Sequence, residues 1–322
     1  MKTQSPETQM DAVLDWMHGR SSLLLLTHTR PDGDAFGTLI GLLRLLNADG
    51  RWEASAYMST PVPERYNAIL PHDTSLAIGK LPEQRRHDGI VCLDTARADR
   101  IDAPNSTHTM PLRIEQCNID HHPDNSLYGA VNWINPESTA TAQMILRLAD
   151  SLNLAMVPEA ATALLFGLVT DCGTFRFQNT SPQALRDAAR LIECGGAYHA
   201  IVDTLHFRQP YGRLLIQSKL LETADFAYNG RLVYSVLREE DLQGADVSRS
   251  IDGVEIACLL QPEDDGVRFS LRARSARYSV GPIARELGGG GHQLAAGARL
   301  RGVTVAEARE RLVALTRKVF AS

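Results

Sequence analysis

Four stretches of the chain set acids or histidines directly after an apolar run. SLLLLT leads into His28-Thr29-Arg30-Pro31-Asp32-Gly33-Asp34-Ala35, GIVCL into Asp94, IEQCNI into Asp120-His121-His122, and LLFGLVT into Asp171. Gathered in one place, these carboxylates and imidazoles would suffer like-charge repulsion and desolvation unless cations neutralised them. Oxygen donors with some imidazole suit Mn²⁺ or Mg²⁺ better than the thiolate-rich sites that favour zinc. Five or six such donors exceed what one ion needs while keeping room for water and substrate. Two ions sharing a bridging carboxylate, roughly 3.5–4 Å apart, fit the donor set and suit in-line displacement at phosphorus. Each stretch also has a plain structural reading. Pro-Asp-Gly-Asp is an ordinary turn with N-cap acids, Asp94 could cap a helix, and His121-His122-Pro123 could be a surface loop. Asp171 alone carries almost no information. Taken jointly, the four favour a two-metal site.

A second constellation is the glycine run 288–291 followed by His292. Successive glycines let backbone N–H groups converge on an anion, and His292 could add a hydrogen bond or a charge. A flexible hinge is the competing explanation. Between Gly266 and Arg301 stand seven arginines (268, 272, 274, 277, 285, 299 and 301) and a single acid, Glu286. Arg272 and Arg274 should share one strand face, where a guanidinium can fork onto phosphate or stack on a base. A solvated arginine-rich face would look the same. Nucleophilic and nucleotide-fold signatures are missing: there is no GxSxG elbow, no Walker A lysine and no GxGxxG opening a helix. Cys172, beside Asp171, reads as a packing residue.

The elements that must present these residues follow from periodicity. Strands are expected at 22–27, 52–58, 89–93 and 113–119, alternating with helices, which implies βαβ units and a parallel sheet. In such a sheet ligands bind beyond the carboxyl ends of the strands, so at least three of the four stretches should converge there. Helices are expected at 35–47, 138–153 and 181–194, the last two opening with a serine able to cap, and 159–169 favours a helix by its alanines. A connecting helix over 205–222, interrupted near Pro210, precedes strands at 232–237, 254–260, 267–273 and 295–300 and a closing helix from 304 to about 320. The domain division is therefore 1–194, a helical linker 195–224, and 225–322. Its 322 residues suffice for two cores, and 44% hydrophobic with 22% charged residues is ordinary for a globular protein. A net charge of −5 argues against tracking along long nucleic acid. The polar N-terminus lacks a signal-peptide core, the longest aliphatic run (23–26) is too short for a bilayer, and five unpatterned cysteines fit a reduced cytoplasm.

On these residues the chain resembles the DHH/DHHA1 phosphoesterase family, in its bacterial oligoribonuclease/pAp phosphatase (nanoRNase) branch. His28-x-x-x-Asp32-x-Asp34-Ala35 resembles the first motif, Leu93-Asp94-Thr95-Ala96 the second and Asn118-Ile119-Asp120-His121-His122 the name-giving third. Thr170-Asp171-x-Gly173-x-Phe175-Arg176-Phe177 resembles the fourth, and Gly289-Gly290-Gly291-His292-x-x-Ala295-Ala296-Gly297 the C-terminal signature. The resemblance spans nearly the whole chain. It implies an α/β protein, with a parallel-sheet N-terminal DHH domain flanked by helices and a smaller α/β C-terminal DHHA1 domain. It implies two divalent ions, Mn²⁺ or else Mg²⁺: one held by His28, Asp32 and Asp94, the other by Asp34, Asp94, His121 and Asp171. His122 would contact the scissile phosphate, Asp120 would orient a neighbouring histidine, and Arg272, Gly290, Gly291 and His292 would grip the rest of the substrate. Cys172 departs from the small hydroxyl residue expected there. The implied activity is hydrolysis of very short RNA to mononucleotides and dephosphorylation of 3′-phosphoadenosine 5′-phosphate (pAp) by a cytoplasmic homodimer. A cleft between the domains would admit only small substrates. Rivals sharing the metal ligands are a phosphodiesterase for cyclic or linear dinucleotides and an inorganic pyrophosphatase or polyphosphatase. A silent nucleotide-binding regulator is the rival of another class.

Overall fold

The four inner strands of the N-terminal half are short and almost wholly buried, the pattern of a sheet covered on two sides. In the computed structural model, which describes residues 5–59, 61, 66, 76–79, 87–101, 114–208, 211–237 and 251–321, the strands of that half are β1 (Ser22–Leu26), β2 (Glu53–Met58), β3 (Leu76–Ile78), β4 (Gly89–Leu93), β5 (Gln116–Asp120) and β6 (Val131–Ile134). All pair in parallel in the order β3-β2-β1-β4-β5-β6. Strand order reverses between β1 and β4, which creates a crevice at their carboxyl ends where no crossover closes the sheet. Leu23 and Leu25 of β1 face one core with Val91, Leu93 and Ile119, while Leu24 and Leu26 face the other with Ile90 and Cys92.

Helices α1 (Pro6–His18), α2 (Gly33–Asp49), α3 (Thr141–Ser151), α4 (Pro158–Asp171) and α5 (Pro182–Glu193) pack around this sheet. α1 was not expected from its polar sequence. Ser5 caps it and Pro6 starts it, and it buries only Val13, Trp16 and Met17. α2 and α4 approach closely because Gly33, Gly37 and Gly41 recur every fourth residue along one face. A Cβ on Gly37 would lie 2.5 Å from Ala163 O and 2.6 Å from Gly167 N, and one on Gly41 2.5 Å from Leu164 Cδ2. Ser181 caps α5 as expected, its hydroxyl accepting from Ala184 N at 3.1 Å. The serine expected to cap α3 does not. Ser138 is buried three residues upstream, and the N–H groups of Thr141 and Ala142 donate to the Asp34 carboxylate instead. A buried carboxyl must be hydrogen-bonded, and here it takes the helix N–H groups that the hydroxyl was expected to cap.

The chain separates into two compact units, Met1–Arg208 and Gln209–Ser322. The first ends in a short α6 (Tyr198–Val202) and a wider π-helical turn, Asp203–Phe207. The expected interruption at Pro210 lies outside the described residues. In the second unit, α7 (Tyr211–Glu222) is followed by β7 (Asp225–Ala227), β8 (Leu232–Val236), β9 (Ile256–Glu263), β10 (Gly266–Ala273), α8 (Gly281–Glu286), β11 (Gly290–Gly291), β12 (Ala295–Arg301) and α9 (Val305–Ala321). Its sheet runs β11-β12-β10-β9-β8-β7 and is antiparallel except for β8 against β9. Val267, Phe269, Leu271 and Ala273 alternate inward against α8 and α9, so Arg268, Ser270 and Arg272 face the other way. Among the described residues no helix is long and apolar enough to cross a membrane.

Candidate active site

The crevice at the sheet's switch point receives residues from the ends of β1, β4 and β5. His28 lies two residues beyond β1, Asp94 directly follows β4, and Asp120 ends β5 with His121 and His122 next in line. Asp32 caps α2, its Oδ1 accepting from the N–H groups of Asp34 and Ala35, both at 3.1 Å. Asp34 is thereby placed in the first helical turn. Asp94 adopts a left-handed backbone (φ 52°), a strained conformation for a side chain of this size, while its N–H still pairs with Ile119 O at 3.0 Å.

Within this unit, among the described residues, three donor groups result, each with its ligand atoms within 4.8 Å of one another: His28–Asp32–Asp94, Asp34–Asp94–His121 and Asp94–Asp120–His122. Asp94 belongs to all three. Its Oδ2 lies 3.9 Å from His28 Nε2, and its Oδ1 lies 3.6 Å from His121 Nε2 and 3.7 Å from His122 Nδ1. Both flanking imidazoles are aimed by main-chain carbonyls. His28 Nδ1 donates to Thr29 O at 2.9 Å and His121 Nδ1 to Ser138 O at 3.2 Å. That tautomer turns a lone pair of Nε2 toward the carboxylates, the arrangement that suits metal coordination. His122 is held differently, its Nδ1 donating to Asp120 Oδ1 at 2.7 Å, and Asn125 Nδ2 donates to the other Asp120 oxygen at 2.6 Å. Asp171 ends α4 and accepts from Asn179 Nδ2 at 3.3 Å. It is close enough for its charge to act on Asp34 and His122, yet it joins none of the three groups.

The electrostatics fit divalent cations. Among the described residues no lysine or arginine ion-pairs with Asp34, Asp94 or Asp120; the nitrogens within 4 Å of their oxygens at ion-pairing positions belong to histidines. Burial first, and then the Asp94 carboxylate, holds the Asp34 carboxyl well above the usual range. Burial likewise raises Asp94. For Asp32 burial also pushes upward, but His28 and the Ala35 N–H prevail and lower it. At Asp120 burial is outweighed by the His122 hydrogen bond and charge, so its carboxyl is lowered too. His122 moves the other way: burial opposes its charge, but Asp120 and Asp94 push it up to about 10. Carboxyls raised by burial and by one another's proximity are stabilised in their charged form when a cation arrives, so this donor set accommodates divalent metal.

In the second unit, Gly289 approaches β12 so closely that a Cβ would lie 2.0 Å from Gly297 O, and Gly291 has φ +130°. This stretch ends in the short strand β11, not in the hinge that was its alternative reading. Arg272 sits on β10 opposite Ala295. Its expected companion on that face, Arg274, falls one residue past the strand. The Arg274 guanidinium donates to Val254 O and Ile251 O, both at 2.8 Å, because the chain turns there and leaves those carbonyls in need of donors. Arg299 is likewise engaged, with Glu263 at 2.5 Å and Asp265 at 3.2 Å. Cys172 is buried and its Sγ accepts from Phe175 N at 3.3 Å, a packing role.

Several participants were not anticipated. Thr141 Oγ1 donates to Asp94 Oδ1 at 2.8 Å, Thr38 Oγ1 to Asp34 Oδ1 at 3.0 Å, and Asn125 and Asn179 hold two further acids. The polar run Ser138-Thr139-Ala140-Thr141 heading a helix with almost no exposed face was the available signal.

Parallel sheet, switch-point cluster of acids and histidines, and a second mixed-sheet unit place the chain among the metal-dependent α/β phosphoesterases. The description "DHH family, N-terminal domain" matches residues 22–168 and "DHHA1 domain" matches 229–322, and the chain belongs to this DHH/DHHA1 family. It is 36% identical to the bifunctional oligoribonuclease and PAP phosphatase NrnA of Thermus thermophilus, over 92% of this chain and 89% of that protein. The protein of the same name from Bacillus subtilis is 26% identical over 87% of this chain and 89% of its own. The crystal structure of an exopolyphosphatase-related protein from Bacteroides fragilis superposes with a TM-score of 0.84 at 20% identity, covering 99% of this chain and 98% of that one. At that identity the superposition shows a common fold.

Proposed function

We propose that this phosphoesterase hydrolyses very short oligoribonucleotides to mononucleotides and dephosphorylates pAp. The observation that carries the reading is Asp94, one carboxylate shared between the His28–Asp32 and the Asp34–His121 donor groups. The extended similarity to proteins named oligoribonuclease and PAP phosphatase gives it a substrate class. His28, Asp32 and Asp94 hold one ion, and Asp34, Asp94, His121 and Asp171 hold the other, Mn²⁺ in preference to Mg²⁺. Bound there, the pair supplies an acidified water and charge neutralisation for in-line displacement at phosphorus. His122, kept charged and oriented by Asp120, contacts the scissile phosphate and offsets charge accumulating on its oxygens. Arg272, Gly290, Gly291 and His292 bind the substrate's other phosphate or terminal nucleotide. Functionally the chain divides into a metal-holding part (1–194), a helical linker (195–224) and a substrate-binding part (225–322). It acts in the cytoplasm as a homodimer.

The test is product release with Mn²⁺, with and without EDTA, from RNA of graded length, pAp, a linear and a cyclic dinucleotide, and pyrophosphate. EDTA-sensitive turnover confined to the shortest RNAs and pAp is the expected result. Preference for pyrophosphate or a cyclic dinucleotide would overturn the substrate assignment, and silence on every substrate would overturn the enzymatic one.

A further inference from the structure

Whatever fixes the plane of the Asp94 carboxylate fixes both donor groups. A carboxylate turns easily about its last bond, so an unrestrained Asp94 could chelate one ion with both oxygens as readily as it could span two. Its oxygens are instead sorted, Oδ2 toward His28 and Oδ1 toward His121. Among the described residues the hydroxyl that donates to Asp94 is Thr141 Oγ1, at 2.8 Å from Oδ1. The same residue's N–H meets Asp34 Oδ2 at 2.6 Å, and the next N–H, from Ala142, meets Asp34 Oδ1 at 3.1 Å. Thr141 is fully buried at the first turn of α3, so both contacts are made by a side chain and a backbone with little freedom to move. It therefore touches both acids of the Asp34–Asp94–His121 group, and among the described residues it hydrogen-bonds neither His28 nor Asp32.

From this we infer that Thr141 is a positioning residue whose hydroxyl locks Asp94 in the orientation that serves two ions and sets the affinity of the Asp34–Asp94–His121 position. The inference rests on the two-ion reading above. Asp34 Oδ1 is filled by Thr38 Oγ1 and the Ala142 N–H, whereas Oδ2, 3.9 Å from His121 Nε2, accepts from the Thr141 N–H and keeps a second lone pair for an ion. With the Thr141 hydroxyl occupying one lone pair of Asp94 Oδ1, the other is left for an ion beside His121. Removing the hydroxyl frees the carboxylate to rotate toward His28, at the expense of the second position.

Calorimetric titration of the full-length protein with Mn²⁺ tests this, for wild type, Thr141→Val and Thr141→Ser, with unfolding in chelator as the check on folding. Wild type should take up two ions. Thr141→Val should keep one near its wild-type affinity and bind the other about 10–100-fold more weakly, the effect typical of lost outer-shell partners. Thr141→Ser, which retains the hydroxyl, should stay within a few-fold of wild type. Should Thr141→Val fail to fold, Thr141→Ala decides by the same criterion. Wild-type uptake of both ions by a folded Val or Ala variant would overturn the inference alone, as would a serine variant as weak as valine. A wild-type protein taking up fewer than two ions would overturn it together with the reading it rests on.

Discussion

Asp94 carries the greatest demand of any residue in the chain. It is buried, strained in its backbone, and within 4 Å of three imidazoles. Asp94→Ala should abolish turnover and reduce bound Mn²⁺, as read by activity and metal analysis; near-normal turnover in a folded variant would sink the two-ion assignment. Its neighbours also predict how stability follows pH. In Asp34 and Asp94 the folded-state carboxyl is raised, so folded protein binds protons more tightly than unfolded chain. Such groups destabilise increasingly as pH rises above the unfolded value and through the folded one. His122, also raised, acts in the same direction above its unfolded value. Asp32 and Asp120 are lowered, and their contribution is lost only on acidification below the ordinary carboxylate range. Chelated protein should therefore gain thermal stability as pH falls from about 8 to about 5, while Mn²⁺-saturated protein should lose it as protons compete for ligands. Parallel melting curves that do not diverge between the two forms would contradict this.

The elements position these residues through two contacts that differ in how visible they are in sequence. One is the run of a buried strand into an acid, which periodicity and strand-end logic expose directly: β1, β4 and β5 all lie within a few residues of their expected bounds. The other is the close packing of α2 on α4, which brings Asp34 near the end of the helix that carries Asp171. Its signal, glycines spaced by four, is weak alone, because glycine spacing means close approach only once the facing helix is known. Gly37→Val should force these helices apart and cost about 1–3 kcal/mol, the usual scale of overpacking, or more if the backbone cannot yield. Chemical denaturation measures the loss, and a parallel drop in Mn²⁺ affinity would tie the packing to the site. The α3 cap was misread for the same reason. Ser138 has the right type and spacing, but the acceptor that won, Asp34, is more than a hundred residues away in sequence and close only after folding.

At the scale of the whole molecule the proposed activity assigns the metal ions to the first unit and the rest of the substrate to the second. Arg272→Ala should lower kcat/KM on dinucleotides by about 1.5–3 kcal/mol, the worth of a hydrogen bond to a charged group, without changing bound metal. An unchanged kcat/KM in a folded variant would place the binding surface elsewhere. The arginine-rich segment is less of an open cationic face than its composition implies, since Arg274 holds backbone carbonyls and Arg299 pairs with acids of the β9–β10 turn. By itself the sequence determined the longer buried strands and which acids and histidines follow β1, β4 and β5, since this comes from local periodicity, and the cost of clustering charge made cations the expectation; the short β3, β6, β7 and β11 were not expected from it. Only the tertiary structure decided which oxygen of Asp94 faces which histidine. It also decided that Asp34 caps α3, that Thr141, Asn125 and Asn179 hold the acids in place, and that some arginines are occupied. Those outcomes depend on donors and acceptors far apart in the chain, and a hydrogen bond is settled by angstroms that no spacing in a sequence encodes.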